Sequence, residues 1–325
     1  MEPETLALIG RIFGAGIAVG LGGIGAGVGM GMTAGHADEG VMRQPARHGY
    51  MLRTMLIGQA VGGGTVSIFP LVVAMLILFM PIAEPDLVGG NFVAAMIGSG
   101  LAIGLGSFGS GLGCGWPASS ACDGVCRNPR KITPITLRMI IGQAMAQSPT
   151  VFSLVIALIL LFTYQPGTDW VLMGVMLGAG IAAGASALGP GIGSGKTAGG
   201  AIDGIGAWPN NIDPTFRNML VAQAVSQTPA IFGLLVAFIM IFTLGDMPEN
   251  MVSFSQILGA GIAAGFGGIG SGIGSGLAGD TACRAIAQRP RIEGVIVRTM
   301  LTGQAVSQST AIYALIIALV ILYVA

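Results

Sequence analysis

Charge is what this sequence has least of. Only 9% of its 325 residues are charged and 53% are hydrophobic, with mean hydropathy +0.82. A soluble globular domain carries roughly 25% charged residues, so a soluble fold is excluded. Histidine occurs twice, as His36 and His48, at or near one basic turn, and both read as solvated. The four cysteines, Cys114, Cys122, Cys126 and Cys283, show no C-x-x-C pairing. Cys122 and Cys126 share a helix face and could hold half a metal site, but buried thiols at small-residue positions are the expectation. No His/Cys/carboxylate cluster points to a metal, and no Ser/His/Asp set falls within one stretch of chain, so hydrolytic chemistry has no support. The acidic start, M-E-P-E-T, lacks the basic region and cleavage site of a secretory signal, so no segment is expected to be removed. Gly189 to Thr197, G-P-G-I-G-S-G-K-T, imitates a phosphate-binding loop. It has Pro190 where the first glycine is needed and no preceding strand, so Lys196 is expected to snorkel from a packed helix to the surface.

What is abundant is apolar length. Runs of more than about 20 apolar residues, enough to cross a hydrocarbon core of about 30 Å, recur along the chain. The few charges are segregated. Arg43, Arg47 and Arg53 lie around one connection, and Arg127, Arg130, Lys131 and Arg138 around another. Arg217 and then Arg289, Arg291 and Arg298 mark the third and fourth of this kind. The alternate connections carry Glu84 and Asp86, Asp169, then Asp246 and Glu249, without Lys or Arg. The positive-inside rule puts the basic loops in the cytoplasm and both termini on the opposite side.

The chain repeats itself four times. A knot of polar residues begins with Gln59, Gln143, Gln223 and Gln304, spaced 84, 80 and 81 residues apart. Each follows a loop proline, Pro45, Pro129, Pro209 or Pro290, which lies 18 residues before a second knot position: Gly63, Gln147, Gln227 or Gln308. A constant offset within a drifting repeat marks a fixed structural unit. Each unit has a glycine-rich half, such as G-F-G-G-I-G-S-G-I-G-S-G from Gly265, and a bulky aliphatic half, such as Leu234 to Phe242. In lipid the backbone must satisfy its own hydrogen bonds, so the glycine-rich halves are also helices, whose small residues allow close packing. The expectation is an all-α integral membrane protein of eight helices, at 5–42, 50–80, 88–126, 133–163, 169–206, 214–244, 252–287 and 294–324. They form four hairpins, 1–83, 84–166, 167–247 and 248–325. Glycine-rich helices form an inner layer and aliphatic ones an outer layer, and the arc of hairpins closes into a ring with other chains.

Polar side chains in mid-membrane are costly and mark a solute path or a helix contact. Four knots at one depth, joining Gln to Ser148, Thr228 or Ser309, favour a site architecture over isolated helix glue.

The glycine-rich helix, the Arg43-Gln44-Pro45 turn and the second helix G-Q-A-V-S-Q-S-T-A-I-Y resemble the rotor-ring proteolipid, or c-type hairpin protein, of rotary ATP synthases. The likeness is closest to the sodium-type variants and occurs four times over. The resemblance implies a membrane rotor ring, with a stator protein of the a type and central-stalk proteins as partners, lipid around it, and no nucleic acid. Its stalk-facing positions are Arg43, Gln44, Pro45, Arg127, Pro129, Pro209, Arg289 and Pro290; the turns Arg127-Asn128-Pro129, Ala207-Trp208-Pro209 and Gln288-Arg289-Pro290 depart from the family pattern. In that family the second helix carries a carboxylate where this chain has Gly63, Gln147, Gln227 and Gln308. The first-helix Gln that helps hold sodium corresponds to Met30, Cys114, Ser194 and Ser275. The Val306 carbonyl, Ser309, Tyr313 and Gln304 remain.

All fourteen Asp and Glu lie at termini, turns or helix ends, the deepest being Asp280. A primary amide does not titrate near neutral pH, and sodium beside it would be an uncompensated charge costing several kcal/mol. The expectation is therefore a rotor-ring protein that carries no ion itself and needs no cofactor, with sodium or protons handled only if partner proteins supply a carboxylate. The ring is either mixed with a carboxylate-bearing paralogue or homomeric and non-translocating. An eight-helix channel for a neutral solute is the alternative.

Overall fold

The computed structural model describes residues 3–81, 88–243 and 248–324. The hairpin boundaries expected at 83/84 and 247/248, with Glu84, Asp86 and Asp246, lie outside the described residues. The inner helices are α1 (Pro3–Arg43), α4 (Gly90–Arg127), α6 (Trp170–Ala207) and α9 (Met251–Gln288). The outer spans are α2 (His48–Gln59) with α3 (Thr65–Phe79), α5 (Ile132–Thr163), α7 (Ile212–Ser226) with α8 (Thr228–Thr243), and α10 (Glu293–Tyr323). Among the described residues eight spans are long and apolar enough to cross a membrane. An inner helix of 38 residues is about 57 Å long at 1.5 Å per residue, well beyond a hydrocarbon core.

The inner helices stand in a row, α1 on α4, α4 on α6 and α6 on α9, with α1 and α9 at its two ends. Glycine sets the spacing. A Cβ at Gly195 of α6 would overlap the backbone of Gly113 in α4, and one at Gly111 of α4 would lie 2.8 Å from the Gly25 carbonyl carbon. Backbones this close admit no side chain, which is why a composition that breaks helices in water builds them here. Outer helices fill the grooves behind the row: Ile156, Leu160 and Leu161 of α5 are fully buried with Phe92 and Ile103 of α4. Their far sides, including Leu71, Val155, Leu235 and Ile316, are exposed and apolar, as a lipid-facing surface requires.

The four turns share one geometry despite different sequences. The residues before the prolines, Gln44, Asn128, Trp208 and Arg289, have φ between −138° and −127° and ψ between 70° and 73°. Steric conflict with the proline ring excludes the helical region for the preceding residue, so any side chain there ends the inner helix alike.

Two expected continuous helices are interrupted. The span expected at 50–80 contains a π-helical turn at Ala60–Gly64. The span expected at 214–244 breaks at Gln227, whose φ and ψ are −85° and −12°. The ring of Pro229 conflicts with the carbonyl four residues back and removes one helix hydrogen bond. Half-buried Lys196 lies 4.8 Å from the Trp116 ring centroid in a cation–π contact. One ionisable side chain departs from expectation. His36 sits in α1 and joins α4 through Nδ1 to Asp123 Oδ2 at 2.9 Å, rather than standing in a solvated loop.

Candidate functional site

The polar knots form one layer across the outer helices. The first glutamine of each knot binds its own inner helix. Nε2 donates to the carbonyl of Met30 from Gln59 (3.0 Å), of Cys114 from Gln143 (3.1 Å), of Ser194 from Gln223 (3.0 Å) and of Ser275 from Gln304 (2.9 Å). These are the four positions singled out in the sequence, but their backbone is what engages. The Ser194 and Ser275 hydroxyls have no protein partner among the described residues.

Three of these amides use their second hydrogen to reach the preceding hairpin. Gln143 donates to the Gly58 carbonyl at 2.9 Å, Gln223 to Gly142 at 2.9 Å and Gln304 to Ala222 at 3.1 Å. All three are fully buried. Gln143, Gln223 and Gln304 are therefore stitches between hairpins, Gln304 Nε2 also lying 3.4 Å from Ser226 Oγ, whereas Gln59 bonds only within its own hairpin among the described residues.

The second knot position does something different. Gln147 donates from Nε2 to the Val61 carbonyl at 2.6 Å, Gln227 to Met145 at 2.9 Å, and Gln308 to Val225. Each acceptor is again in the preceding hairpin's outer helix, and each lacks an ordinary helix partner. Pro149 is four residues beyond Met145, and Pro229 four beyond Val225, so the N–H that would bond each carbonyl is missing. Val61 lies inside the π turn, where the four-residue ladder is broken, and also accepts from the Thr65 hydroxyl. The prolines, which look incidental in the sequence, expose carbonyls that the next hairpin's glutamines satisfy.

Hairpin 1 is the exception. Gly63 provides no side chain, and the Met30 side chain occupies the space beside it, with Sδ 2.8 Å from where a Cβ would stand. The π turn absorbs one extra residue. Phe69 follows Gln59 by 10 residues, whereas Phe152, Phe232 and Tyr313 follow their glutamines by 9. That spacing was the available signal for the bulge.

The remaining hydroxyls serve mainly their own helices. Thr228 Oγ1 donates to the Val225 carbonyl and Ser309 Oγ to Val306, at 2.9 and 2.8 Å. Ser148 is half-buried beside Pro149. Tyr313 stands on the free edge of hairpin 4, 63% exposed, with Val306 at 68%. At the turn end of the row, Asp203 of α6 pairs with Arg127 of α4 at 2.8 Å and with Arg284 of α9, which also holds Asp280 at 2.8 Å. Asp280, five residues along α9 from Ser275, is therefore tied into an ion-pair cluster at the turn end. Arg43 pairs with Glu39 within α1. Among the described residues no group of three His, Cys, Asp or Glu could hold a metal.

Four segments of the chain, 13–77, 97–160, 177–240 and 258–321, match the family model for the ATP synthase C subunit. The chain is 30% identical over 232 residues to the K subunit of the A-type ATP synthase of Methanocaldococcus jannaschii, covering 71% of this chain and 96% of that protein. It is 42% identical over 89 residues to an ATP synthase c subunit of Desulfosudis oleivorans (27% and 91% covered). A third relative is an ATP synthase c subunit of Thermotoga petrophila, 43% identical over 81 residues (25% and 95% covered).

Proposed function

Because the chain belongs to the ATP synthase C subunit family, shown by four matches spanning most of its length, we propose that it builds part of a rotary ATP synthase's membrane rotor ring while its own hairpins carry no ion. The carrying observation is the direction of the second-position amides. Gln147, Gln227 and Gln308 aim N–H groups at the Val61, Met145 and Val225 carbonyls. The positive end of an amide dipole lies where a cation bridging two hairpins would need negative charge.

The layer is thereby neutral in every state of the ring. A carboxyl group alternates between charged and neutral forms; an amide does not titrate near neutral pH. Sodium placed there would be an uncompensated buried charge, at a cost of several kcal/mol. Such hairpins are suited to facing lipid throughout a rotation and to transmitting torque. Ion exchange against a stator protein then falls to any hairpins that keep a carboxylate. The basic turns are read as cytoplasmic by the positive-inside rule, which leaves the four similar proline turns facing the stalk.

A solute channel within one chain is the weaker reading, because the inner helices form an open row rather than a closed bundle. The test is carbodiimide labelling of the assembled ring, read by mass spectrometry. Wild-type chain is expected to show no modification at Gln147, Gln227 or Gln308, whatever happens to Asp213 and Glu293 at the turn ends of α7 and α10, and Gln308→Glu to become labelled at that position. Label at any of the three glutamine positions of the wild type would overturn the reading.

A further inference from the structure

We propose that the groove between α2 and α5 holds the phosphate of an anionic phospholipid, in the leaflet on the side of the proline turns, with Arg53 as its cation. The site goes beyond the ion-free reading and does not depend on it.

The outer junctions between hairpins carry unequal charges. Arg53, Arg217 and Arg298 each stand six residues before the first glutamine of their knot, and Arg138 stands five before. Two of these arginines meet a carboxylate of the next hairpin: Arg138 lies 3.6 Å from Asp213, and Arg217 lies 3.6 Å from Glu293. The two acids are 10 and 11 residues before Gln223 and Gln304. At the same two places before Gln143, hairpin 2 has Thr133 and Ile132. Arg53 therefore meets no acid across its junction, and among the described residues it pairs with no carboxylate.

What Arg53 lines instead is a groove of about 260 Å³. Arg53 and Ile57 form its α2 wall, four residues apart on one helix face. Thr133, Thr136, Leu137 and Ile140 form the α5 wall at helical spacing. The lining is graded along the helices. The guanidinium and Thr133 stand nearest the turns, while Ile57 and Ile140 stand nearest the glutamine layer. The hydroxyls are available as well. Thr54, Thr215 and Thr299, at the turn ends of the other outer spans, each return their hydroxyl to the carbonyl four residues back. Those of Thr133 and Thr136 make no hydrogen bond among the described residues.

That gradient matches a phospholipid. The phosphate meets the cation, ester oxygens accept from the hydroxyls, and an acyl chain lies along Ile57, Leu137 and Ile140. A guanidinium grips phosphate with two parallel N–H groups, and basic pockets between membrane helices take anionic head groups. Snorkelling to water would account for an arginine here. It gives no reason for two unbonded hydroxyls in the same groove, or for a carboxylate missing from one of the three junctions within the chain. Inorganic phosphate would fill the polar end and leave the aliphatic wall bare.

The test is native mass spectrometry of the full chain in mild detergent, with phosphatidylglycerol and phosphatidylcholine supplied at equal concentration. The wild type is expected to retain phosphatidylglycerol in preference. Arg53→Ala should lower that preference about fivefold, the factor one basic residue contributes at an anionic surface. Ile132→Glu should lower it as much, by giving Arg53 the partner that Glu293 gives Arg217. Both variants should keep wild-type helix content by circular dichroism. Arg130→Ala removes an exposed turn arginine outside the groove and should leave the preference intact. Excess inorganic phosphate should not displace the lipid. No preference in the wild type, an unchanged preference in either groove variant, an equal loss in Arg130→Ala, or displacement by inorganic phosphate would overturn the proposal.

Discussion

The pairing of Pro149 with Gln227 makes a quantitative prediction. Gln227 Nε2 donates to the Met145 carbonyl at 2.9 Å, and Pro149 withholds the N–H that would otherwise bond it. Replacing Gln227 by Leu keeps most of the volume but leaves a buried carbonyl without a donor, which costs about 1–3 kcal/mol. Pro149→Ala restores the backbone N–H. In that background Gln227→Leu removes a supplementary bond, and such interhelical bonds average about 0.6 kcal/mol in membrane proteins. The double-mutant cycle should therefore show a coupling of about 0.4–2.4 kcal/mol. The assay is reversible unfolding of the detergent-solubilised chain in a denaturing detergent titration, with all four variants under one condition. Additive effects, a coupling of zero within about 0.3 kcal/mol, would refute the idea that the proline creates the acceptor. The same cycle on Pro229 and Gln308 tests the next junction, with Thr228 as a second donor to Val225 that should reduce the coupling.

Two further outcomes follow from the packing. Arg284→Ala should destabilise the chain by about 1 kcal/mol, a modest value because the side chain is partly exposed and screened, and the loss should shrink in high salt; it is read by thermal unfolding at two ionic strengths. Gly195→Leu should abolish the compact fold, because no side chain fits against the Gly113 backbone, and limited proteolysis should then cut at the turn between hairpins 2 and 3.

The membrane class, the four hairpins and the division into inner and outer helices were legible in the sequence, because composition and period carry them: glycine against aliphatic, and a proline-to-knot offset of 18 residues. The roles within the knots were less legible. Gln143, Gln223 and Gln304 looked like remnants of an ion site, but they bond backbone carbonyls of two neighbouring elements, and nothing in their spacing tells a stitch from a ligand. The break at Gln227 was foreshadowed by Pro229, yet Pro149 in the same context leaves α5 continuous. Proline states which bond is lost, while the surroundings decide whether the helix yields. The π turn of hairpin 1 goes with a one-residue excess before Phe69, and the unbroken α10 with Thr310 standing where two sister repeats have proline. Both features acquire meaning only once the acceptor of each glutamine is known.

The central claim is that this chain's membrane layer is permanently neutral. Its most direct test is ATP-driven uptake of protons or sodium into vesicles containing the complex, with a ring made solely of this chain. The expected result is no uptake of either ion at any pH, and uptake only after carboxylates are introduced at Gln147, Gln227 and Gln308. Sustained, inhibitor-sensitive uptake by the wild-type ring would contradict it.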